Sequence, residues 1–234
     1  SEAHQEIIRI LGTKRQGMER GALLKLTKLS SEGGTFNNRL KELEASGFII
    51  RYTPYGHKKR NTYVQLVDEY SLFYMAWIEP ALGTIARINQ ANGYWIEQSL
   101  SSSWKSWAGY AFEALCFKHL ELIRQTLEIN SSAAIGNWRY NPPKGSEEDG
   151  AQIDLLFDRN DGVITLCEMK YTTAPYKLTK PESQALRRKI DVFKKQTRTT
   201  KQVTMALIAS QKIQETAYTQ NVLSGSVTLK DLME

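Results

Sequence analysis

Cysteine is nearly missing from this chain, with two residues, Cys116 and Cys167, in 234. They stand far apart, each inside an apolar segment. That excludes a disulfide framework and a cysteine-based zinc site, and it reads as two small core residues in a reducing compartment. Histidine is as scarce, and His4, His57 and His119 share no metal-ligand spacing. No run approaches the ~18 consecutive apolar residues of a membrane span, and no charged-then-apolar leader opens the chain. A GxxxxGK(S/T) phosphate loop, a nucleophile elbow and a dinucleotide fingerprint are all missing. ATP hydrolysis and small-molecule cofactor chemistry therefore have no motif to rest on. Internal repeats and low-complexity tracts are absent as well. The expectation is a cytoplasmic protein with no membrane partner. Its first residue is serine, with no initiator methionine, as in a piece cut from something longer.

What is present describes an ordinary globular chain with a tilt. Hydrophobic residues make up 41% and charged residues 24%, enough for a real core in one large domain or two small ones. The formal net charge of +6 and a pI near 9.2 lean toward polyanionic partners.

Residues 1–70 have a rhythm of their own. Ile7, Ile8, Ile10 and Leu11 recur at helical spacing before Gly17, and a second short helix fits 19–26. The stretch GGTFNNRLKELEASGFIIRY then sets Phe36, Leu40 and Leu43 on one stripe, with Gly47 as its stop. Strand-like runs at 48–52 and 62–66 flank the basic loop TPYGHKKRN. Three helices and a basic-tipped hairpin make the pattern of a winged helix-turn-helix. In a DNA-binding role, Asn37, Asn38, Arg39 and Lys41 would enter a groove, while Lys58, Lys59 and Arg60 would meet phosphates. In the opposing role the module makes protein contacts only, and the charge run is a solvated turn. Glu42 and Glu44 dilute the positive face of the third helix.

Residues 71–103 read as a helical connector, broken at Pro80 and turning at Asn92-Gly93. Tyr70, Phe73, Tyr74 and Trp77 repeat at helical spacing, a stripe expected to pack between domains rather than to stack bases. From Trp104 a long helix is predicted, with Trp107, Ala108, Ala111, Phe112, Leu115, Cys116, His119, Leu122 and Ile123 on its apolar stripe. A strand in 133–140, two more in the stretch below, a helix opened by Pro181 and the buried strand QVTMALIAS follow. The order over 104–234 is α-β-β-β-α-β with a short tail, an α/β domain.

Within that domain, residues 151–171 read AQIDLLFDRNDGVITLCEMKY. Asp154 interrupts one apolar run, and Glu168 and Lys170 interrupt the next. Buried charge costs several kcal/mol per group unless partners or a metal compensate. Asn160-Asp161-Gly162 signals a tight turn, so the two runs pair as an antiparallel hairpin. A turn centred on Asn160 sets Asp154 against Leu166, and one centred on Asp161 sets it against Glu168. Either register leaves the two carboxylates on one face, about 5 Å apart if opposite and about 7–8 Å if diagonal. Carboxylates that close repel unless a hard divalent cation such as Mg²⁺ lies between them. Lys170, on the same strand face as Glu168, can orient a water and neutralise charge building on phosphorus. Asp and Glu-x-Lys on adjacent strands are thus a phosphodiester-hydrolysis constellation. Glu113, in WAGYAFEALCFKHL, has no base three or four positions away, so it reads as a supporting carboxylate rather than as an exposed glutamate held by a local ion pair.

The set Glu113, Asp154 and Glu168-Met169-Lys170 resembles the PD-(D/E)xK restriction-endonuclease-like superfamily over residues 104–234, with Gln152-Ile153 standing where a proline can precede the aspartate. The whole chain is similar to the C-terminal part of archaeal-type AAA ATPases, through NTYVQLVDEYSLFYMAWIEP and VTLKDLM. In that group a P-loop domain precedes a winged helix and a nuclease-like domain. The resemblance implies Mg²⁺ or Mn²⁺ on Asp154 and Glu168, supported by Glu113 and the backbone carbonyl of Met169. It also implies Lys170 as the residue that positions water, duplex or branched DNA as partner, and an ATPase domain upstream. It further places the helix after the site beside it. The basic face there, with Gln184, Arg187 and Arg188 as the candidates, would hold a phosphate backbone; otherwise it is a solvated face of snorkelling side chains. The rival class is a non-catalytic DNA-binding or regulatory module whose nuclease-like fold is a docking scaffold.

Overall fold

The computed structural model describes residues 1–14, 16–29, 34–57, 62–85 and 91–233. Over these described residues the chain is mixed α/β, with a 3-stranded and a 5-stranded sheet. Contacts divide it into two units, one of Ser1–Tyr52 with Arg60–Lys118 and one of Thr53–Lys59 with His119–Glu234. The border predicted at Trp104 therefore lies inside a helix of the first unit.

The first unit opens with α1 (Glu2–Gly12), β1 (Met18–Glu19), α2 (Arg20–Leu26), α3 (Thr35–Ala45), β2 (Ile49–Tyr52) and β3 (Tyr63–Leu66). Its sheet has the order β1-β3-β2, antiparallel throughout, with Ile49 opposite Leu66. The predicted stripes close the core. Ile7 and Leu11 of α1, Leu23 of α2, and Phe36, Leu40 and Leu43 of α3 are all buried. Gly47 takes φ +73° just past α3, the left-handed step that ends a helix and that side chains resist.

Beyond Asp68, whose carboxylate caps the next helix by accepting from Ser71 N–H at 2.7 Å, the connector runs as α4 (Glu69–Phe73), a π-helical turn (Tyr74–Ile78), a 3₁₀ turn (Glu79–Ala81), α5 (Leu82–Ile85), α6 (Ala91–Leu100) and α7 (Ser102–Lys118). Pro80 does not stop the helical path. It falls in the first turn of the 3₁₀ segment, where its missing N–H removes nothing. Asn92 and Gly93, predicted as a turn, lie in the first turn of α6. N–H groups there lack intrahelical partners in any helix, so turn-forming residues are tolerated. The aromatic stripe is also corrected, because it packs inside the first unit rather than between domains. Phe73 meets Trp95 at 5.6 Å, Trp77 meets Trp104 at 5.2 Å, and Trp104 meets Trp107 at 5.2 Å. The predicted long helix bends out of α geometry at His119 (φ −105°, ψ 30°) and restarts as α8 (Leu120–Thr126).

The second unit continues from α8 through β4 (Ala134–Tyr140), β5 (Ala151–Asp158), β6 (Val163–Lys170), α9 (Lys180–Thr197), β7 (Gln202–Ala209), α10 (Ala217–Val222) and β8 (Gly225–Thr228). Strands lie in the order β4-β5-β6-β7-β8, antiparallel across the first two pairings and parallel across the last two. The predicted α-β-β-β-α-β order is present from α8 onward, and α10-β8 extends it. A capping box of Thr179 and Glu182, with proline in the first turn, starts α9. Leu186 and Phe193 of α9 pack on Leu156 of β5, Leu166 of β6 and Met205 and Leu207 of β7. Residues 53–57 join this unit. Tyr55 donates its backbone N–H to Asn137 O at 2.8 Å, and its ring lies 5.3 Å from that of Phe193. Among the described residues no helix is long and apolar enough to cross a membrane.

Phe193 is fully buried and meets the ring of Trp138 edge-on at 5.0 Å. Phe193→Ala should cost about 3–5 kcal/mol. Urea denaturation followed by near-UV circular dichroism, which sees the Trp138 environment, measures that loss; an unchanged midpoint contradicts this account of the core.

Candidate functional site

The charged residues of residues 151–171 are brought together by a hairpin and a bulge. Asn160, Asp161 and Gly162 form the turn, closed by Arg159 N–H donating to Val163 O at 2.9 Å. Gly162 holds φ +83°, the left-handed position that a three-residue hairpin loop requires. Pairing runs from Leu155↔Cys167 to Asp158↔Ile164, which centres the turn on Asp161; Asp154 and Glu168 lie one position beyond the last paired residues. On the other edge β5 is bulged. Between Leu156↔Gly136 and Ile153↔Trp138 the ladder passes Asp154 and Leu155 on β5 but only Asn137 on β4. A bulge re-aims the side chains beside it. The Asp154 carboxylate accepts from Met169 N–H at 3.2 Å through Oδ2 and from Gln152 Nε2 at 3.1 Å through Oδ1.

Glu168 is 6% exposed and lies between two ammonium groups. Lys170 Nζ is 2.8 Å from its Oε1, and Lys189 Nζ donates to its Oε2. Lys189 stands three residues after Leu186 and four before Phe193, so it lies on the α9 stripe that faces the sheet. Taking a carboxylate out of water costs several kcal/mol. Two charge-assisted hydrogen bonds to opposite charges offset that cost.

The electrostatics follow from this crowding. Burial, and then the negative charge of Glu168, push the Asp154 carboxyl above the ordinary carboxylate range, against the opposing pull of Lys189, Met169 N–H and Gln152. Burial draws the Lys170 ammonium down, but Glu168, Asp154 and Glu182 together outweigh it and leave Lys170 above its usual value. Burial also pushes Glu182 up; hydrogen bonds from Thr179 and Tyr176 and the charge of Lys170 overcome it and hold the carboxyl low. The Tyr176 hydroxyl donates to Glu182 Oε1 at 3.0 Å, and burial with that carboxylate drives the phenol up.

Asp154, whose proton affinity is raised by burial and by the charge of Glu168, forms with Glu168 a donor set that a cation relieves. Among the described residues no three His, Cys, Asp or Glu side chains cluster as metal ligands. Mg²⁺ commonly takes one or two protein carboxylates and completes its shell with water and phosphate oxygens, so Asp154 and Glu168 fit such an ion. Lys170, held against Glu168, places a positive charge at the edge of that pair.

Glu113 is half-buried on α7 of the first unit. Met169 is buried, with its N–H committed to Asp154. On α3, Asn37 Oδ1 accepts from Arg20 Nε at 2.9 Å, Arg39 Nη1 donates to Glu42 Oε2 at 2.6 Å, and Asn38 and Lys41 are exposed. Lys58, Lys59 and Arg60 lie outside the described residues. Gln184, Arg187 and Arg188 are exposed on α9, and Arg187 Nη2 donates to Asn221 O at 2.9 Å. Sequence reasoning misses Lys189, Glu182, Tyr176 and Gln152 as site residues. For Lys189 a signal exists, a lysine in phase with Leu186 and Phe193; the others become neighbours only through the fold.

Because the folded state raises Asp154 above its unfolded value, its ionised form costs stability. That cost is absent below the unfolded carboxylate pKa of about 3.9, grows as pH rises from there to the raised folded value, and is complete above it. Asp154→Asn should therefore raise Tm near pH 7, by about 2–4 °C for each kcal/mol relieved, and should lose that advantage toward pH 4. Thermal melts across pH 4–8 check this, and a variant less stable at pH 7 than at pH 4, relative to the parent, contradicts it. No protein-family model matches the chain, nor does any curated protein or solved structure.

Proposed function

We propose that this chain is a nucleic-acid protein in two parts, a winged helix-turn-helix in the first unit that engages DNA and a nuclease-like α/β second unit that hydrolyses a phosphodiester with Mg²⁺ or Mn²⁺. One observation carries the reading. Glu168 is buried, bonded to Lys170 on its own strand face, and its charge adds to the burial that raises the proton affinity of Asp154. A buried structural salt bridge needs one carboxylate, and a second that repels it calls for a cation.

Asp154 and Glu168 would hold the ion, with the Met169 carbonyl as a further candidate. When bound, the ion supplies Lewis acidity and a water of lowered pKa. Lys170, kept protonated by its acidic neighbours, donates to the attacking water or to a phosphoryl oxygen and neutralises charge as it develops there. Arg188 and Gln184 on the exposed face of α9 bind the backbone of the substrate strand. In the first unit, exposed Asn38 and Lys41 on α3 would lie toward a groove, and Asn37 and Arg39 join them once released from Arg20 and Glu42.

The rival reading has its own observation. Both oxygens of Glu168 are satisfied by lysines, as in a closed structural cluster within a scaffold that docks an ATPase and does not cut. Cleavage separates the two. Purified protein with Mg²⁺ or Mn²⁺ should cut duplex or branched DNA, and Lys170→Ala should lower the initial rate about 10²–10³-fold. If parent and variant bind DNA equally and neither cuts linear, nicked, branched or single-stranded DNA or RNA, the enzymatic reading fails and the scaffold stands.

A further inference from the structure

We propose that Lys189 is the resident cation of this site, holding the place of a divalent ion on Glu168 and leaving when that ion binds, a role that rests on the metal-dependent reading above.

The two lysines on Glu168 are not equivalent. Lys170 is the last residue of β6, two positions from Glu168 on the same strand face, and meets Oε1 from the acid's own strand. Lys189 reaches Oε2 from another element, at the end of a four-carbon stem rooted on α9. A lysine head can swing away on such a stem without moving its helix. Lys189 also acts on both acids. It donates to Glu168, and its charge counters the crowding of Asp154. No residue on Asp154 does the same work, since its direct partners, Met169 N–H and Gln152, carry no net charge. Lys189 thus sits where one positive charge serves two carboxylates, which is the place a shared cation takes.

Two consequences follow from charge and space. The hairpin keeps its two acids assembled without metal because an ammonium already neutralises one of them. A divalent ion must displace that ammonium to gain Oε2, so its apparent affinity falls by the cost of breaking the ion pair. Replacing Lys189 with an uncharged side chain of similar length removes the competitor and leaves both ligands in place.

Calorimetric titration with Mn²⁺ alone, on the full chain, tests this. Lys189→Met should bind Mn²⁺ at least tenfold more tightly than the parent, while Lys189→Arg, which keeps the charge, should bind no more tightly than the parent. In the unaltered chain, acetic anhydride labelling of Lys189, read by mass spectrometry, should rise several-fold when Mn²⁺ is added, and should not rise in Asp154→Asn. Binding by Lys189→Met where the parent shows none also supports the proposal. Equal affinity of parent and Lys189→Met, with no change in labelling, overturns it and leaves the metal-dependent reading intact. Absence of binding in both parent and Lys189→Met overturns that reading and this proposal together.

Discussion

A single carboxylate, that of Glu168, organises the chemistry of the second unit. It is buried at the end of a central strand, and its charge is tolerable only because Lys170 and Lys189 meet it from two different elements. Leaving Glu168 without a positive partner would strand a buried charge at a cost of several kcal/mol. The docking of α9 on the sheet, the position of Lys170 and the environment of Asp154 are therefore tied to one another. The apolar contacts of Leu186 and Phe193 supply the adhesion of that helix; the Lys189 bond gives it an electrostatic register.

Topology explains why the acids and the lysines meet where they do. β6 and β7 run parallel, so the chain must cross over the sheet between them, and α9 is that crossover. Lys189, in the third turn of α9, reaches back to Glu168 near the end of β6. Open α/β sheets place ligand sites at the carboxyl ends of parallel strands, and the candidate site follows this rule. The antiparallel partner β5 then contributes Asp154 from the other side. Its bulge opposite Asn137 frees the aspartate from plain alternation and lets it bond the backbone of Met169.

Much of this was legible in residue patterns, and the reasons differ by element. The N-terminal helices could be read because Ile7, Leu11, Phe36, Leu40 and Leu43 repeat at the helical period and fall silent at the ends. The hairpin could be read because Asn-Asp-Gly between two apolar runs has few other uses, although its register could be narrowed only to two settings. Asn92-Gly93 misled because turn residues are equally at home in the first turn of a helix. The aromatic stripe from Tyr70 to Trp77 was legible as packing, but not its partners, since α7 joins the first unit through contacts that periodicity does not encode. Lys189 was overlooked because a lysine amid eight other basic side chains between Lys177 and Lys201 looks like solvated surface unless its phase with Leu186 and Phe193 is weighed.

Sequence alone determined the α/β class, the order of elements and the pairing of two acids with a lysine on one hairpin. Those follow from local periods and turn chemistry, which act over a few residues. Only the tertiary structure decided the register centred on Asp161, the bulge beside Asp154, and the ammonium that crosses from α9 to Glu168. Each depends on residues distant in the chain, Asn137 with Asp154 and Lys189 with Glu168. Their meeting is settled by how the sheet twists and where its crossover helix lands, and not by any pattern their neighbours carry.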